Sequence, residues 1–241
     1  MEWTLYMLLF FAAFFYGSVG HGGGSSYILL LTLFNYAPQQ IRPTALILNI
    51  FIAFIAFISY QKKCKFPYKL FFTIILFSMP AAYIGGFILI DTNLYKKILG
   101  VLLIFPVIRL FNLFRIPEKK IIDTSFWFIG CLGGGIGFFS GLIGIGGGII
   151  LSPIILMLGW CKVKETAALS ALFIVCNSMA GFFGVKGWGM DFGQEFYMFL
   201  IVTIIGGSMG AYLGAFRWNL QTIKYILGFV LSIAIIKLIW I

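Results

Sequence analysis

The feature that most constrains the fold of this chain is a glycine cluster that occurs twice inside apolar sequence. The two copies are GSVGHGGGSS, residues 17–26, and GLIGIGGGII, residues 141–150. Each glycine in a helix interior costs about 1 kcal/mol relative to alanine. We therefore expect a helix to break at each cluster and to present bare backbone N–H groups. Such a helix N-terminus is a ready site for an anion, because it combines unpaired donors with partial positive charge.

The composition of the chain is that of a membrane protein. Of the 241 residues, 61% are hydrophobic and only 10% are charged, whereas soluble domains carry about 25% charged residues. The N-terminal stretch MEWTLYMLLF lacks the basic region and cleavage site of a signal peptide, so we expect it to be retained. The net charge of +10 lies in short loops between apolar segments, where the positive-inside bias explains it, and nucleic-acid binding is not expected.

Apolar segments of two lengths predict an all-α polytopic fold. A full crossing needs about 20 residues, and the segments flanking the glycine clusters, at 3–16, 27–36, 125–140 and 149–160, are too short to cross alone. The six segments predicted to cross are 43–60, 68–90, 94–114, 166–185, 195–216 and 221–241.

The order of these segments repeats, which predicts two homologous halves. Residues 1–118 form the first transmembrane repeat and residues 119–241 the second, and together they make one integral membrane domain. The polar stretch 115–123 links them. The glycines that recur 124 residues later are Gly17, Gly20, Gly22, Gly23 and Gly24, matched by Gly141, Gly144, Gly146, Gly147 and Gly148.

Two topologies are compatible with this repeat. If each glycine segment is a re-entrant helix pair, each half adds three transmembrane helices, the halves are inverted and both termini lie outside. If each segment crosses, the chain has eight transmembrane helices in parallel 4+4 repeats. Lys and Arg split 10 to 7 between the two sides in the second topology. In the first, five of the 17 lie on one side and 12 on the other, which the positive-inside rule prefers. Those five are Arg42, Lys96, Lys97, Lys186 and Lys237.

Other glycines recur every four residues and have a different explanation. Small residues at this spacing let membrane helices approach closely, so we expect helix packing at these positions. They are Gly133, Gly137 and Gly141 in one segment, and Gly206, Gly210 and Gly214 in another.

The candidate substrate-binding residues are the cluster glycines and the polar residues in or near the apolar segments. Hydroxyl and amide donors could supplement backbone N–H groups around an anion, and the alternative that they only hydrogen-bond between helices stays open. No Asp or Glu lies deep in a predicted segment, which argues against a carboxylate proton relay and favours a negative substrate. The candidates are Gly20, His21, Gly22, Gly23, Gly24, Ser25, Ser26, Thr44, Asn49, Gly144, Gly146, Gly147, Gly148, Ser170, Asn177 and Ser178.

His21 is the single histidine, and two roles are open for it. An imidazole titrates near pH 6.5, so His21 could couple proton and anion movement. Alternatively, it hydrogen-bonds a carbonyl freed by the helix break, as buried polar groups generally do. Catalysis is not expected, because His21 and Ser140 have no visible orienting acid. The four cysteines show no metal-binding spacing, so no metal or other cofactor is predicted.

The two clusters resemble the TauE/SafE sulfite exporter family of bacterial permeases. The similar stretches are VGHGGGSSYI at 19–28, GLIGIGGGIILSPIIL at 141–156 and KETAALSALFIVCNS at 164–178. The first copy departs from the second at Ser26 and Tyr27, where the second has Ile150 and Leu151, and it lacks an equivalent of Pro153.

This resemblance implies a secondary transporter in the cell (inner) membrane for small anions. The implied substrates are sulfur-containing oxyanions or organosulfonates, with sulfite the namesake of the family. An anion channel, or a passive membrane component without coupled transport, is the alternative. The expected partners are the small anion and the lipid bilayer, and a homodimer is left open.

Overall fold

The computed structural model describes residues 2–88, 125–185 and 192–219, and parts of 221–232. All regular structure in these ranges is helical, which confirms the all-α polytopic class. The first half contains α1 (Glu2–Ser18), α2 (Gly24–Leu33), α3 (Pro38–Gln61) and α4 (Tyr68–Phe87). The second contains α5 (Phe126–Ile143), α6 (Gly148–Leu158), α7 (Val163–Gly184) and α8 (Glu195–Tyr212), followed by a π-helical turn, Leu213–Arg217. The predicted crossing at 94–114, most of that at 221–241 and the linker 115–123 lie outside the described residues.

Five described helices are long and apolar enough to cross a membrane: Gln39–Gln61, Tyr68–Phe87, Phe126–Ile143, Val163–Gly184 and Glu195–Arg217. The prediction that the segment before the second glycine cluster is too short to cross was wrong, because α5 continues to Ile143. Its glycines stay helical since their bare backbone packs against α4, and this tertiary contact outweighs the poor helix propensity of glycine.

The glycines spaced by four residues pack helices together, as predicted. A Cβ atom at any of them would collide with backbone of the facing helix. Because the contacts follow the same order along both helices of each pair, α5 runs in the same direction as α4, and α8 in the same direction as α1. The contacts pair Gly133, Gly137 and Gly141 with Ile74, Ser78 and Ala82, and Gly206, Gly210 and Gly214 with Phe10, Phe14 and Ser18.

The two central helices, α3 and α7, run antiparallel. Asn49 meets Ser178 near their middle, and Cys64, just past the end of α3, lies 3.7 Å from the carbonyl of Lys164 at the start of α7. Parallel repeats would orient these two equivalent helices the same way, so this packing favours the inverted arrangement. Inverted repeats, and the number of membrane crossings, nevertheless stay predictions.

The basic loop after α3 lies at the same end of the bundle as the start of α7 and the end of α8. Cys64 contacts Lys164, and the Lys63 ammonium lies 4.7 Å from the Phe216 ring. The six-crossing topology groups these loops on one side, whereas the eight-crossing topology separates them.

The helices that follow the glycine clusters, α2 and α6, are half the length of their neighbours and begin in the middle of the bundle. Gly24 at the start of α2 bonds to Asn49 in mid-α3, and Ser152 in α6 bonds to Ser170 in α7. Each then runs back to the end where the next long helix begins.

The helices that precede the clusters are longer than predicted and extend past the middle of the bundle. α1 and α5 have 17 and 18 residues, about 25 Å each at 1.5 Å per residue. Ser18, the last residue of α1, accepts a hydrogen bond from the Tyr60 hydroxyl near the far end of α3. The two arms of each helix pair are therefore unequal in length.

Candidate functional site

Two short non-helical segments, residues 19–23 and 144–147, connect the unequal arms, and we call them the first and second tips. Both start their next helix from a left-handed glycine, Gly23 with φ 93° and Gly147 with φ 73°. Side chains other than glycine rarely adopt this conformation. The predicted helix breaks are thus confirmed, but they are narrower than the clusters, since Gly17 and Gly141 remain helical.

Asn49 in the middle of α3 joins the two tips. Its Oδ1 accepts a hydrogen bond from the Gly24 amide at 3.0 Å, and its Nδ2 donates to the Ile145 carbonyl at 3.2 Å. The same Nδ2 also donates to Ser178 Oγ at 2.9 Å. One fully buried amide therefore connects the start of α2, the second tip and α7.

His21 in the first tip reaches the start of α6. Its Nε2 lies 3.0 Å from the Gly148 carbonyl oxygen, and its Nδ1 lies 3.2 Å from that of Val19. Both oxygens can only accept, and a neutral imidazole has one N–H, so only the doubly protonated ring would bond to both. Ser152 Oγ lies 3.2 Å from Nε2 and donates to Ser170 Oγ at 2.7 Å.

Two tyrosines that the sequence analysis did not select add hydroxyl groups to the first tip. The Tyr27 hydroxyl lies 2.7 Å from the position that a Cβ of Gly23 would occupy, and it is buried without a hydrogen-bond partner among the described residues. The Tyr16 hydroxyl is 3.0 Å from Ser25 Oγ. One signal was available: helical side chains lean toward the N-terminus, so Tyr27 must lie over the residue four positions earlier.

Backbone donors remain at the starts of both short helices. The amides of Ser26 and Tyr27 bond to the Gly23 carbonyl, and those of Ile150 and Leu151 to the Gly147 carbonyl. Because the first amides of a helix have no partner within it, others are left over. Within the first two residues of each of these helices, the bonds described leave the amides of Ser25, Gly148 and Ile149 without a hydrogen-bond partner.

The structure brings most, but not all, of the candidate residues to the tips. Asn177 faces α4 instead, and its Nδ2 donates to Ser78 Oγ of that helix at 3.3 Å. The same Nδ2 donates to the Phe173 carbonyl of its own helix at 3.0 Å. Thr44 is buried in α3, five residues before Asn49. Gly20 and Gly144 pack away from the opposite tip, against Ala167 and Arg42. Gly20 and Gly144 belong to the tips by position, and the other candidates gathered at or next to the tips are His21, Gly22, Gly23, Gly24, Ser25, Ser26, Asn49, Gly146, Gly147, Gly148, Ser170 and Ser178.

The polar groups buried in the described ranges carry no negative charge. They are Ser, Thr, Asn and Tyr side chains together with His21. Because an acidic side chain next to the tips would repel an anion, this set suits a neutral or negative ligand.

Comparison with known proteins agrees with this architecture. The family model described as "Sulfite exporter TauE/SafE" matches residues 5–238. A "Probable membrane transporter protein" of Sinorhizobium fredii is 28% identical over 244 residues, which cover 98% of this chain and 97% of that protein. Another protein of the same description, from Methanocaldococcus jannaschii, is 32% identical over 191 residues, 72% of this chain and 70% of that protein. No solved structure matches the chain.

These matches name a transporter and not an enzyme, and the first of them spans almost the whole sequence. Together with helices suited to crossing a membrane, they show that the chain belongs to the TauE/SafE sulfite exporter family of membrane transporters.

Proposed function

We propose that this transporter moves a small oxyanion, with sulfite or an organosulfonate as the substrate, and binds it where the two tips meet. The observation that carries this proposal is the meeting of two helix N-termini in the bundle interior among buried donors, with no buried acid in the described ranges. The N-terminus of a helix attracts negative charge. Paired broken helices in two halves of a chain are typical of transporter substrate sites.

The donors available for such an anion come from both halves of the chain. The free amides of Gly148 and Ile149 open α6, and that of Ser25 opens α2. The unpaired Tyr27 hydroxyl lies beside the start of α2. Tetrahedral or pyramidal oxyanions present several acceptor oxygens, so donors from several directions suit them better than a single cation.

Entry of the anion requires the tips to separate. His21 contacts the Gly148 carbonyl and Asn49 contacts the Ile145 carbonyl, and both contacts span the space between the tips. An anion bound there would take over donors that now bond to carbonyl oxygens. The exchange of tip-to-tip contacts for tip-to-anion contacts is the conformational step that we expect transport to require.

The arrangement in the membrane is part of the same proposal. We place the protein in the inner membrane with six crossings, two inverted repeats at 1–118 and 119–241, and both termini outside. A reporter fused after Ile241 that is active only in the cytoplasm should therefore give no signal, and a strong signal would contradict this orientation.

The function is tested by replacing Gly24 with alanine. The added methyl group would lie 3.2 Å from both Asn49 Cγ and Ile145 Cα, between the tips. The matched control is Gly135→Ala in α5, where a Cβ meets nothing within 4 Å. In proteoliposomes with radiolabelled sulfite, Gly24→Ala should lower the initial uptake rate at least about tenfold, equivalent to about 1.4 kcal/mol. Gly135→Ala should transport like the wild type.

Two outcomes would contradict the proposal. If Gly24→Ala loses transport only in proportion to the folded protein lost, the glycine serves packing alone. If wild-type vesicles never accumulate sulfite above its equilibrium level, with or without a pH difference, the protein is a passive route and not a coupled carrier.

A further inference from the structure

Arg42 is a cation next to the second tip, and the proposed binding of an anion between the tips does not use it. It lies near the start of α3, where its Nη2 donates to the Gly141 carbonyl in the last turn of α5. Its Cγ is 2.7 Å from the position that a Cβ of Gly144 would occupy. The missing side chain at Gly144 therefore makes room for the arginine.

The guanidinium group is only partly satisfied by the residues that the structure describes. Among them, Arg42 Nε is shielded from solvent and has no hydrogen-bond partner. The acids with described side chains are engaged elsewhere, since Glu165 accepts from the Lys162 amide and Glu195 from the Tyr36 hydroxyl. A buried charged donor without a partner is costly, so a ligand with oxygen acceptors would complete this site.

The other end of the bundle has a different arrangement. The residue 124 positions after Arg42 is Thr166, and its neighbour Ala167 packs on Gly20 of the first tip. Among the basic residues there, Lys164 donates from its Nζ to the Ala215 carbonyl at 2.9 Å. Both basic residues thus cap a helix end, but only Arg42 does so against a tip and with a spare buried N–H.

We propose that Arg42 forms an oxyanion-binding site at the end of the second tip, where an anion is held before it passes between the tips. An arginine fork can bind two oxygens of one oxyanion. This site rests on the proposed function for its ligand, and the chemistry is shared by a transported oxyanion and by the phosphate of a lipid headgroup. The alternative that the experiment must exclude is a purely structural role, in which the Arg42 cation only caps the end of α5.

The first measurement is the KM for sulfite uptake in proteoliposomes, with Arg42→Gln compared against Lys164→Gln. Both replacements keep an amide that can donate to a carbonyl, and both remove one positive charge. Loss of a charge-assisted contact should raise the KM at least about tenfold for Arg42→Gln. Lys164→Gln should leave the KM within about twofold of the wild type. Equal KM values for the two variants would overturn the proposal. So would an unchanged KM in Arg42→Gln together with unchanged stabilisation by the ligand in the thermal unfolding measurement described next.

The second measurement identifies the source of the oxyanion and does not depend on transport. Thermal unfolding of the purified full chain in uncharged detergent is followed with sulfite alone or with phosphatidylglycerol alone. A ligand that binds only the folded state raises the melting temperature. Stabilisation by sulfite that Arg42→Gln abolishes supports the transported anion, and stabilisation by phosphatidylglycerol that it abolishes supports a lipid phosphate. No stabilisation of the wild type by either would reject the site.

Arg42→Lys keeps the test decisive if Arg42→Gln does not fold. Lysine retains the charge and the cap of α5 but lacks the second donor of the fork, so its KM should rise by severalfold. A wild-type KM in Arg42→Lys would overturn a site that uses Nε. If the wild type does not transport sulfite but sulfite binding still requires Arg42, the proposed substrate path fails while the site stands.

Discussion

The two tips share a backbone design and differ in what surrounds it. Each starts its short helix from a left-handed glycine and has glycine backbone in contact with α3, through Gly22 in the first tip and Gly146 in the second. Around the first tip stand hydroxyl groups, those of Tyr16, Ser25 and Tyr27. The positions 124 residues after Ser25 and Tyr27 hold Ile149 and Leu151, so the second tip has backbone donors but few polar side chains of its own.

The second tip is completed by side chains from the first half. His21 contacts its Gly148 carbonyl, Asn49 its Ile145 carbonyl and Arg42 the Gly141 carbonyl just before it. The side chains that contact the second tip thus come mainly from the first half, whereas the second tip itself offers open helix amides. A site assembled this way depends on contact between the halves, and the following changes test that dependence from the largest expected effect to the smallest.

Replacing Asn49 with leucine should cause the largest loss of stability, because it removes the bridge between the tips. Three hydrogen bonds disappear, and the buried Gly24 amide and Ile145 carbonyl lose their partner. Interhelical hydrogen bonds in membranes contribute about 0.6 kcal/mol on average and up to about 1.7, so we expect a loss of about 3 kcal/mol. Thermal unfolding of the purified protein measures it.

Asn177→Leu is the matched control for this change. Asn177 is also buried in a central helix, but it makes one hydrogen bond to another helix, to Ser78, and its Oδ1 has no partner. We expect a loss of about 1 kcal/mol or less. Similar losses in the two variants would mean that the bridge between the tips is no stronger than an ordinary contact between helices.

Replacing Tyr27 with phenylalanine separates binding from stability. Removal of a buried, unpaired hydroxyl should leave the free energy of unfolding unchanged or raise it by up to about 1 kcal/mol. The melting temperature should therefore stay the same or rise. Sulfite uptake should nevertheless fall severalfold, because the proposed anion loses a donor. Transport at the wild-type rate would show that this hydroxyl does not contact the anion.

Tyr60→Phe should lower stability without affecting transport, the opposite of the result expected for Tyr27→Phe. The Tyr60 hydroxyl donates to the Ser18 carbonyl at the end of α1, so its removal should cost about 1 kcal/mol of stability. The KM for sulfite should not change. The pair therefore contrasts a hydroxyl kept for a ligand with one kept for the fold.

His21→Asn tests the pH response of uptake. Asparagine can still donate to the Gly148 carbonyl but cannot titrate. If His21 couples proton and anion movement, the pH dependence of uptake between about 5 and 8 should flatten. An unchanged profile would assign His21 to holding the tips together, through its contact with Gly148.

Several features of the site could be predicted from local sequence alone. Glycine clusters weaken a helix, and the breaks lie within the two predicted clusters. The glycine run at 133–135 nevertheless stays helical in α5, so glycine content alone does not fix a break. The small residues spaced by four mark the contacts of α4 with α5 and of α1 with α8 for the same local reason, since only small side chains permit such close backbones. The partner that a buried asparagine side chain would face could not be predicted. Asn49 and Asn177 both lie in apolar stretches of a central helix, yet their side chains face different helices.

The sequence by itself determined the all-helical class, the membrane setting, the positions of the helix breaks and the family, because hydropathy and glycine content act through local backbone energetics. Only the tertiary structure decided that α3 and α7 run antiparallel, that α1 and α5 pass beyond the middle of the bundle, and that Arg42 lies beside the second tip. Those features depend on contacts between residues about 40 to 130 positions apart, and no local propensity encodes which distant backbone a side chain will meet.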